Sequence, residues 1–177
     1  MKTLKPQRGV TLVEACIVMA VMGIVTTSAA PGMQGLLDGR RLDGAASQLA
    51  TDIHYVRSEA VARNQPVRLS FYAGAESSCY VAHTGLSAQC SCAGTGPAQC
   101  SGDAEQIKTV VLPTNQRVSV QANVGSVLFD PLHGTSTPTG TVRVLGTQGR
   151  AVHHVINVMG RVRSCSPLNA VPGYRAC

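Results

Sequence analysis

Val10-Thr11-Leu12-Val13-Glu14-Ala15-Cys16-Ile17-Val18-Met19-Ala20-Val21-Met22-Gly23-Ile24-Val25-Thr26-Thr27-Ser28-Ala29-Ala30 is an apolar run whose one ionisable carboxylate is Glu14. Wound as an α-helix at ~1.5 Å per residue, it spans about 30 Å, the thickness of a bilayer's hydrocarbon core. A carboxylate near the start of such a span costs about 2.5–3.5 kcal/mol on insertion scales, so Glu14 requires a partner.

Outward from this run, the leader Met1 to Gly9 holds Lys2, Lys5 and Arg8 and no acid. Positive charge on that side keeps the leader cytoplasmic and sends the remainder across the membrane. A secretory signal peptide is the competing reading, with Ser28-Ala29-Ala30 as the cleavage site. Pro31 directly after the cut and Glu14 within the apolar run both speak against it. Cleavage after Gly9 instead leaves Val10 as a new N-terminus, with Glu14 one helical turn away. An amine and a carboxylate then sit at similar depth in neighbouring copies, and staggered packing of such helices relieves the penalty on Glu14.

Composition narrows the function classes. Apolar residues make up 44% of the chain and charged residues 14%, which fits a folded chain rather than a disordered polyelectrolyte. There is no Trp, and only four Tyr and two Phe, so a nucleic-acid site built on stacked aromatic platforms is excluded in favour of ionic contact. The formal charge is +6, a basic excess suited to an anionic partner.

Pro31 with Gly32, Gly35, Gly39 and Gly44 predicts a helix kinked or locally melted around residues 28 to 39. From Arg40 to Arg63, Leu42, Ala45, Ala46, Leu49, Ile53, Val56, Ala60 and Val61 recur at three- and four-residue steps and predict a helical stripe that covers a sheet. After Asn64-Gln65-Pro66 the chain reads as strands at Val67 to Tyr72, Cys79 to His83, Ile107 to Leu112, Val118 to Gln121, Val127 to Asp130, Thr141 to Leu145 and Val152 to Val158. One long helix followed by these strands predicts an α+β fold with antiparallel sheets.

Gly9-Val10-Thr11-Leu12-Val13-Glu14, behind a basic leader and ahead of Pro31, resembles the N-terminus of type IV pilins and pseudopilins, with Val10 where Phe is usual. The resemblance implies that a prepilin peptidase cuts after Gly9 and that the new amine of Val10 is methylated. It further implies that Glu14 pairs with an adjacent subunit's amine during assembly. Leu49-Ala50-Thr51-Asp52-Ile53-His54-Tyr55-Val56-Arg57-Ser58-Glu59-Ala60, Phe129-Asp130-Pro131, Gly134, Gly140 and Gly160-Arg161-Val162-Arg163 are similar to the GspH/FimT minor pilins. Residues 73 to 106 match nothing in that group. The implied architecture is the pilin fold: a leader at 1–9, a transmembrane half-helix at 10–38, and a soluble domain at 39–177. The implied location is the inner membrane, with the C-terminal domain in the periplasm, and then the pilus, with other pilin subunits as partners.

Of seven cysteines, Cys16 lies in the membrane run and acts as a small apolar side chain. The other six suit disulfides in an exported domain, with fifteen pairings open. Cys165 and Cys177 are expected to pair and fasten the C-terminal tail. Cys79, Cys90, Cys92 and Cys100 are expected to form two bridges, with Cys90 to Cys92 too tight and the partners otherwise open. Their spacing lacks the paired C-x-x-C knuckles of zinc sites, so no metal is expected. His153 and His154 are adjacent on a strand and point to opposite faces, one as a surface group and one half-buried. No nucleophile elbow, phosphate loop or zinc-binding helix motif occurs, so neither catalysis nor a cofactor is expected.

Charge is unevenly distributed. Beyond Asp130 there is no Asp or Glu, while Arg143, Arg150, Arg161, Arg163 and Arg175 are all present. Arg161 and Arg163, two apart on extended chain, project from one face roughly 6.6 Å apart. Gly160 before them permits a turn or close approach, and the arginine fork suits phosphate. In the GspH/FimT group a Gly-Arg-x-Arg motif resembling Gly160 to Arg163 is associated with DNA capture during natural transformation. The resemblance therefore implies a minor pilin binding the DNA backbone without sequence preference. The alternative is a type II secretion pseudopilin, or an assembly-initiating minor pilin, whose arginines meet an acidic neighbouring subunit. An exported hydrolase on a membrane stalk has no motif behind it.

Overall fold

The computed structural model describes residues 9–92 and 96–177, and the leader bases Lys2, Lys5 and Arg8 lie outside them. The chain divides into two compact units, one ending at Leu37 and one comprising Asp38–Cys177.

Helix α1 covers Leu12–Arg63. Thr11 starts it: its hydroxyl oxygen accepts the Glu14 N–H at 3.3 Å, and its carbonyl accepts the Ala15 N–H at 3.1 Å, satisfying donors that a helix start leaves unpaired. In the N-terminal unit an 18-residue window is apolar enough to cross a membrane, and none of it is buried within the protein. Its hydroxyls are satisfied internally. Thr26 donates to the Met22 carbonyl at 2.9 Å, Thr27 to Gly23 at 2.9 Å and Ser28 to Ile24 at 3.0 Å, so these polar groups add no unpaired donor to the apolar helix. The helix runs without interruption through residues 28–39. Local melting there, expected from Pro31 and its neighbouring glycines, is not found. A proline removes a single ladder bond, and the cooperativity of the remaining bonds carries the helix through.

In the second unit Leu42, Ala46, Leu49, Ile53, Val56 and Ala60 are at most 1% exposed and form the predicted stripe, though Val61, expected in it, is exposed. Asn64 adopts φ 48° and ends the helix, with the Gln65 N–H bonded to the Ala60 carbonyl at 3.2 Å. This is a left-handed C-terminal cap, and Pro66 follows it.

Among the described residues twelve strands follow: β1 Val67–Ala73, β2 Ser77–Thr84, β3 Cys90–Ser91, β4 Gln99–Cys100, β5 Gln106–Pro113, β6 Ser119–Ala122, β7 Ser126–Phe129, β8 Ser136–Thr137, β9 Gly140–Leu145, β10 Ala151–Ile156, β11 Val162–Ser166 and β12 Arg175–Ala176. One five-stranded sheet has the order β5-β2-β1-β7-β8, a second has the order β12-β11-β10-β9-β6, and β3 pairs with β4. Leu69 and Phe71 of β1, Val127 and Phe129 of β7, Val142 and Val144 of β9, and Val152 and Ile156 of β10 join the helical stripe in one core. All ladders are antiparallel except β11 with β12, which is parallel. The expected antiparallel architecture is thus found, and only this edge departs from it, where the tail loops back through residues 167–174 before adding its last strand. The five strands that periodicity missed, β3, β4, β8, β11 and β12, have two residues each or, in β11, a polar Val-Arg-Ser-Cys-Ser sequence.

Two buried polar clusters tie the helix to the sheets. The carboxylate of Asp52, 3% exposed, accepts the Tyr80 hydroxyl at 2.8 Å and the Lys108 ammonium at 2.6 Å. That of Asp38 meets the Arg117 guanidinium at 3.2 Å and the Thr147 hydroxyl at 3.1 Å. Burying these carboxylates is tolerable only because they find donors, on both oxygens of Asp52 and twice on Oδ2 of Asp38.

Candidate functional site

The second sheet has an inner and an outer face. Val142, Val144, Val152, His154 and Ile156 are buried on the helix side, whereas Arg143, Val155 and Arg163 alternate with them and are exposed. Register aligns the outer residues. Gln121 pairs with Arg143, Arg143 with His153, His153 with Cys165, and Cys165 with Arg175, so one line crosses all five strands. Arg163 lies one row away, opposite Val155. At 4.7–4.9 Å per strand, about 14 Å separates the backbones of Arg143 and Arg175.

Arg161 is exposed where the β10–β11 hairpin enters β11; its N–H donates to Asn157 Oδ1 at 2.9 Å and its carbonyl accepts the Asn157 N–H at 3.1 Å. Among the described residues, Arg143, Arg161, Arg163 and Arg175 take part in no ion pair. By contrast Arg41, Arg63 and Arg117 each hold a carboxylate. Val155, Arg163, Ser164, Cys165, Arg175, Ala176 and Cys177 line a shallow groove of about 450 Å³ on this face.

Arg150 is not brought into this group. It lies in the β9–β10 turn, at the opposite end of the sheet from Arg161 and about 20 Å away along the strands. Its guanidinium sits over Gly39, where a Cβ would lie 3.2 Å from Nη1, and beside Thr147. Gly160 serves the turn itself. It adopts φ 68° and donates its N–H to the Asn157 carbonyl at 2.9 Å, and a Cβ there would stand 2.6 Å from the Gly134 carbonyl oxygen. Gly134, also at positive φ, accepts the Arg57 Nε–H at 2.9 Å. Asp130 sets up that loop by accepting the N–H groups of Leu132 and His133 at 3.1 and 2.8 Å; the His133 contact, foremost, holds its carboxyl below the usual range. Arg57 thus joins the helix to the two loops that present Arg161, a role that sequence reading did not assign.

Disulfides join Cys165 to Cys177, Cys79 to Cys92, and Cys90 to Cys100. The first fastens β12, and so Arg175, to β11. Cys16 is free and exposed. His153 is half-buried at the middle of the arginine row, with Nδ1 3.8 Å from Cys177 Sγ. Burial and then the Arg143 charge hold its pKa below the ordinary value. His154 faces inward and bonds Ser164 Oγ at 2.8 Å; burial pushes its pKa down to about 4, against an opposing contribution from the Ala46 backbone. Gly9 and Val10 precede α1, and Glu14 stands exposed in its first turn.

Residues 45–160 match the family described as Type II transport protein GspH. The chain belongs to the GspH family. Residues 4–30 of this GspH-family chain match the prokaryotic N-terminal methylation motif. Type II secretion system protein H of Xanthomonas campestris pv. campestris is 34% identical over 61 residues, covering 34% of this chain and 36% of that relative. The match therefore spans about a third of the relative's length. The type IV minor pilin FimU of Pseudomonas aeruginosa shares the fold: one crystal form aligns with a TM-score of 0.53 at 15% identity, covering 74% of this chain and 96% of that one. A second crystal form gives 0.49 at 17% identity, covering 72% and 98%. The GspH-family domain thus has the α+β pilin fold, a long apolar N-terminal helix with antiparallel sheets.

Proposed function

We propose that this chain is a pilin-like filament subunit whose second sheet carries a cationic outer face that binds the DNA backbone without sequence preference. The observation that supports it most is the cross-strand arrangement of Arg143, Arg163 and Arg175, continued by Arg161, with no carboxylate among the described residues paired to any of them. Repeated arginines on a rigid sheet provide forked donors for successive phosphates. Scarcity of aromatic residues fits duplex and single strands alike. The first unit supplies the assembly half of the function. Cleavage after Gly9 exposes the Val10 amine for methylation by a prepilin peptidase, Glu14 pairs with the amine of an adjacent subunit, and the span 10–38 anchors the chain in the inner membrane until it joins the filament. The domain 39–177 is then periplasmic, and later displayed on the pilus, where capture of extracellular DNA would serve natural transformation.

A gel-retardation assay with the full-length protein in neutral detergent tests the reading. Duplex DNA is expected to shift with the native chain and not with the Arg161→Glu/Arg163→Glu variant of unchanged circular dichroism. Equal retardation by both would reject this face as the site.

The match to a type II secretion protein favours a second reading, in which the subunit belongs to a secretion pseudopilus and the same arginines receive an acidic neighbouring subunit. Absence of DNA retardation, with charge reversal disrupting co-purification of another pilin-like subunit, would select it.

A further inference from the structure

We infer that His153 is a further phosphate-binding residue at the centre of the arginine row, and that its protonation is coupled to capture of a phosphodiester backbone. The inference rests on the DNA-binding reading above and adds a residue and a pH dependence to it.

His153 occupies the middle of the line Arg143–His153–Cys165–Arg175. Every charged side chain facing it from a neighbouring strand is cationic: Arg143 on β9, Arg163 and Arg175 on β11 and β12. The tail contributes Cys177, whose sulfur approaches Nδ1 at 3.8 Å and is locked in a disulfide. The backbone carboxylate of Cys177 forms no ion pair among the described residues. His154, next in sequence, points into the core. Nε2 of His153 has no protein partner among the described residues.

A second proton on this imidazole therefore adds charge beside side chains that are already cationic, and in the free protein burial and Arg143 disfavour it. A bound phosphodiester reverses the balance by bringing negative charge to Nε2–H and to both flanking guanidiniums. Linkage fixes the sign: if the complex holds a proton that the free protein lacks, affinity rises as pH falls through the interval between the free and bound pKa values. Outside that interval it is flat. A single coupled proton limits the gain to about tenfold per pH unit.

The test is fluorescence anisotropy of a labelled 20-base-pair duplex with the full-length protein in neutral detergent, at constant ionic strength and pH 8.0, 6.5 and 5.5. The native chain is expected to bind at least about fivefold more tightly at pH 5.5 than at 8.0. His153→Gln is expected to lose that gain. His153→Lys, carrying a fixed charge, is expected to bind at pH 8.0 about as tightly as the native chain does at 5.5. His133→Gln, a control on an exposed loop, is expected to keep the native profile. Binding by the native chain with a pH profile unchanged in His153→Gln would overturn the role of His153 and leave the DNA-binding reading standing. No binding at any pH would overturn both. Should His153→Gln unfold, the His153 Cε1–H resonance of the native chain decides: its titration midpoint is expected to rise on adding duplex, and an unmoved midpoint contradicts the coupling.

Discussion

Arg143 on β9 and Arg175 on β12 lie on one cross-strand line, with His153 and Cys165 between them. They are 32 positions apart in sequence, yet register and one disulfide set them on the same solvent face. Arg150, closer to Arg143 in sequence, is turned against Gly39 instead. Arg143→Ala is therefore expected to weaken DNA binding and lower the salt slope by about one, as loss of one phosphate contact does. Arg150→Ala is expected to leave affinity within about twofold. Anisotropy titrations of the two variants side by side check this.

Gly160 is expected to tolerate no side chain. Its positive φ and the 2.6 Å approach of a Cβ to the Gly134 carbonyl add backbone strain to a steric conflict, which costs about 1–3 kcal/mol or more. Gly160→Ala is predicted to lower the midpoint of urea unfolding and to weaken DNA binding through displacement of Arg161. Arg57→Met, which removes the bond to Gly134 without touching the cationic face, is expected to do the same more mildly. Unchanged midpoints in both would contradict the role given to this junction.

The parts of the molecule that sequence disclosed share a physical reason. The stripe from Leu42 to Ala60 was visible because helical periodicity is local, and β1 and β9 were visible because apolar residues alternate along them, at Val67, Leu69 and Phe71 and at Val142 and Val144. The Glu14 segment was visible because a lone carboxylate in an apolar run is costly. The outer face was not visible as an arrangement. Which arginines share a row depends on strand register, and β11 and β12 are too polar or too short to announce themselves. Which of His153 and His154 faces outward is likewise not readable from sequence; the structure half-buries His153 and buries His154 fully. Arg57, Gly134 and Gly160 meet through loops far apart in sequence, a relation no local pattern encodes.

Acidification is expected to destabilise the fold. His154 has a folded-state pKa of about 4 against about 6.5 unfolded, so between those values the unfolded chain binds more protons and stability falls as pH drops. The full loss is on the order of 3 kcal/mol. His83, buried with Ser70 on Nε2 and the Thr84 carbonyl on Nδ1, is shifted in the same direction. Thermal melts from pH 7.0 to 4.5 are predicted to show a falling Tm, with a shallower fall in His154→Leu. A Tm independent of pH across that range would contradict the burial of a neutral imidazole.

Removal of the Cys165–Cys177 bridge by Cys165→Ser/Cys177→Ser frees a two-residue strand that has only its edge of β11 to hold it. The tail remains anchored further back by buried Val171 and by the Tyr174 hydroxyl on Asp43 at 2.9 Å. Closing a loop of this size contributes about 3 kcal/mol at most in the chain-entropy model. The variant is expected to fold with a lowered Tm and to bind DNA with a salt slope reduced by about one, as Arg175 is released. A slope equal to that of the native chain would show that the bridge does not position Arg175.

The most direct test of the account is a salt series of duplex DNA binding by the full-length protein in neutral detergent, from 50 to 300 mM salt. Three or four phosphates neutralised by Arg143, Arg161, Arg163 and Arg175 predict a slope of log affinity against log salt of about −2.7 to −3.6, falling to near zero when all four are replaced by alanine. No measurable binding at 50 mM salt, or the same slope in the four-alanine variant, would contradict it.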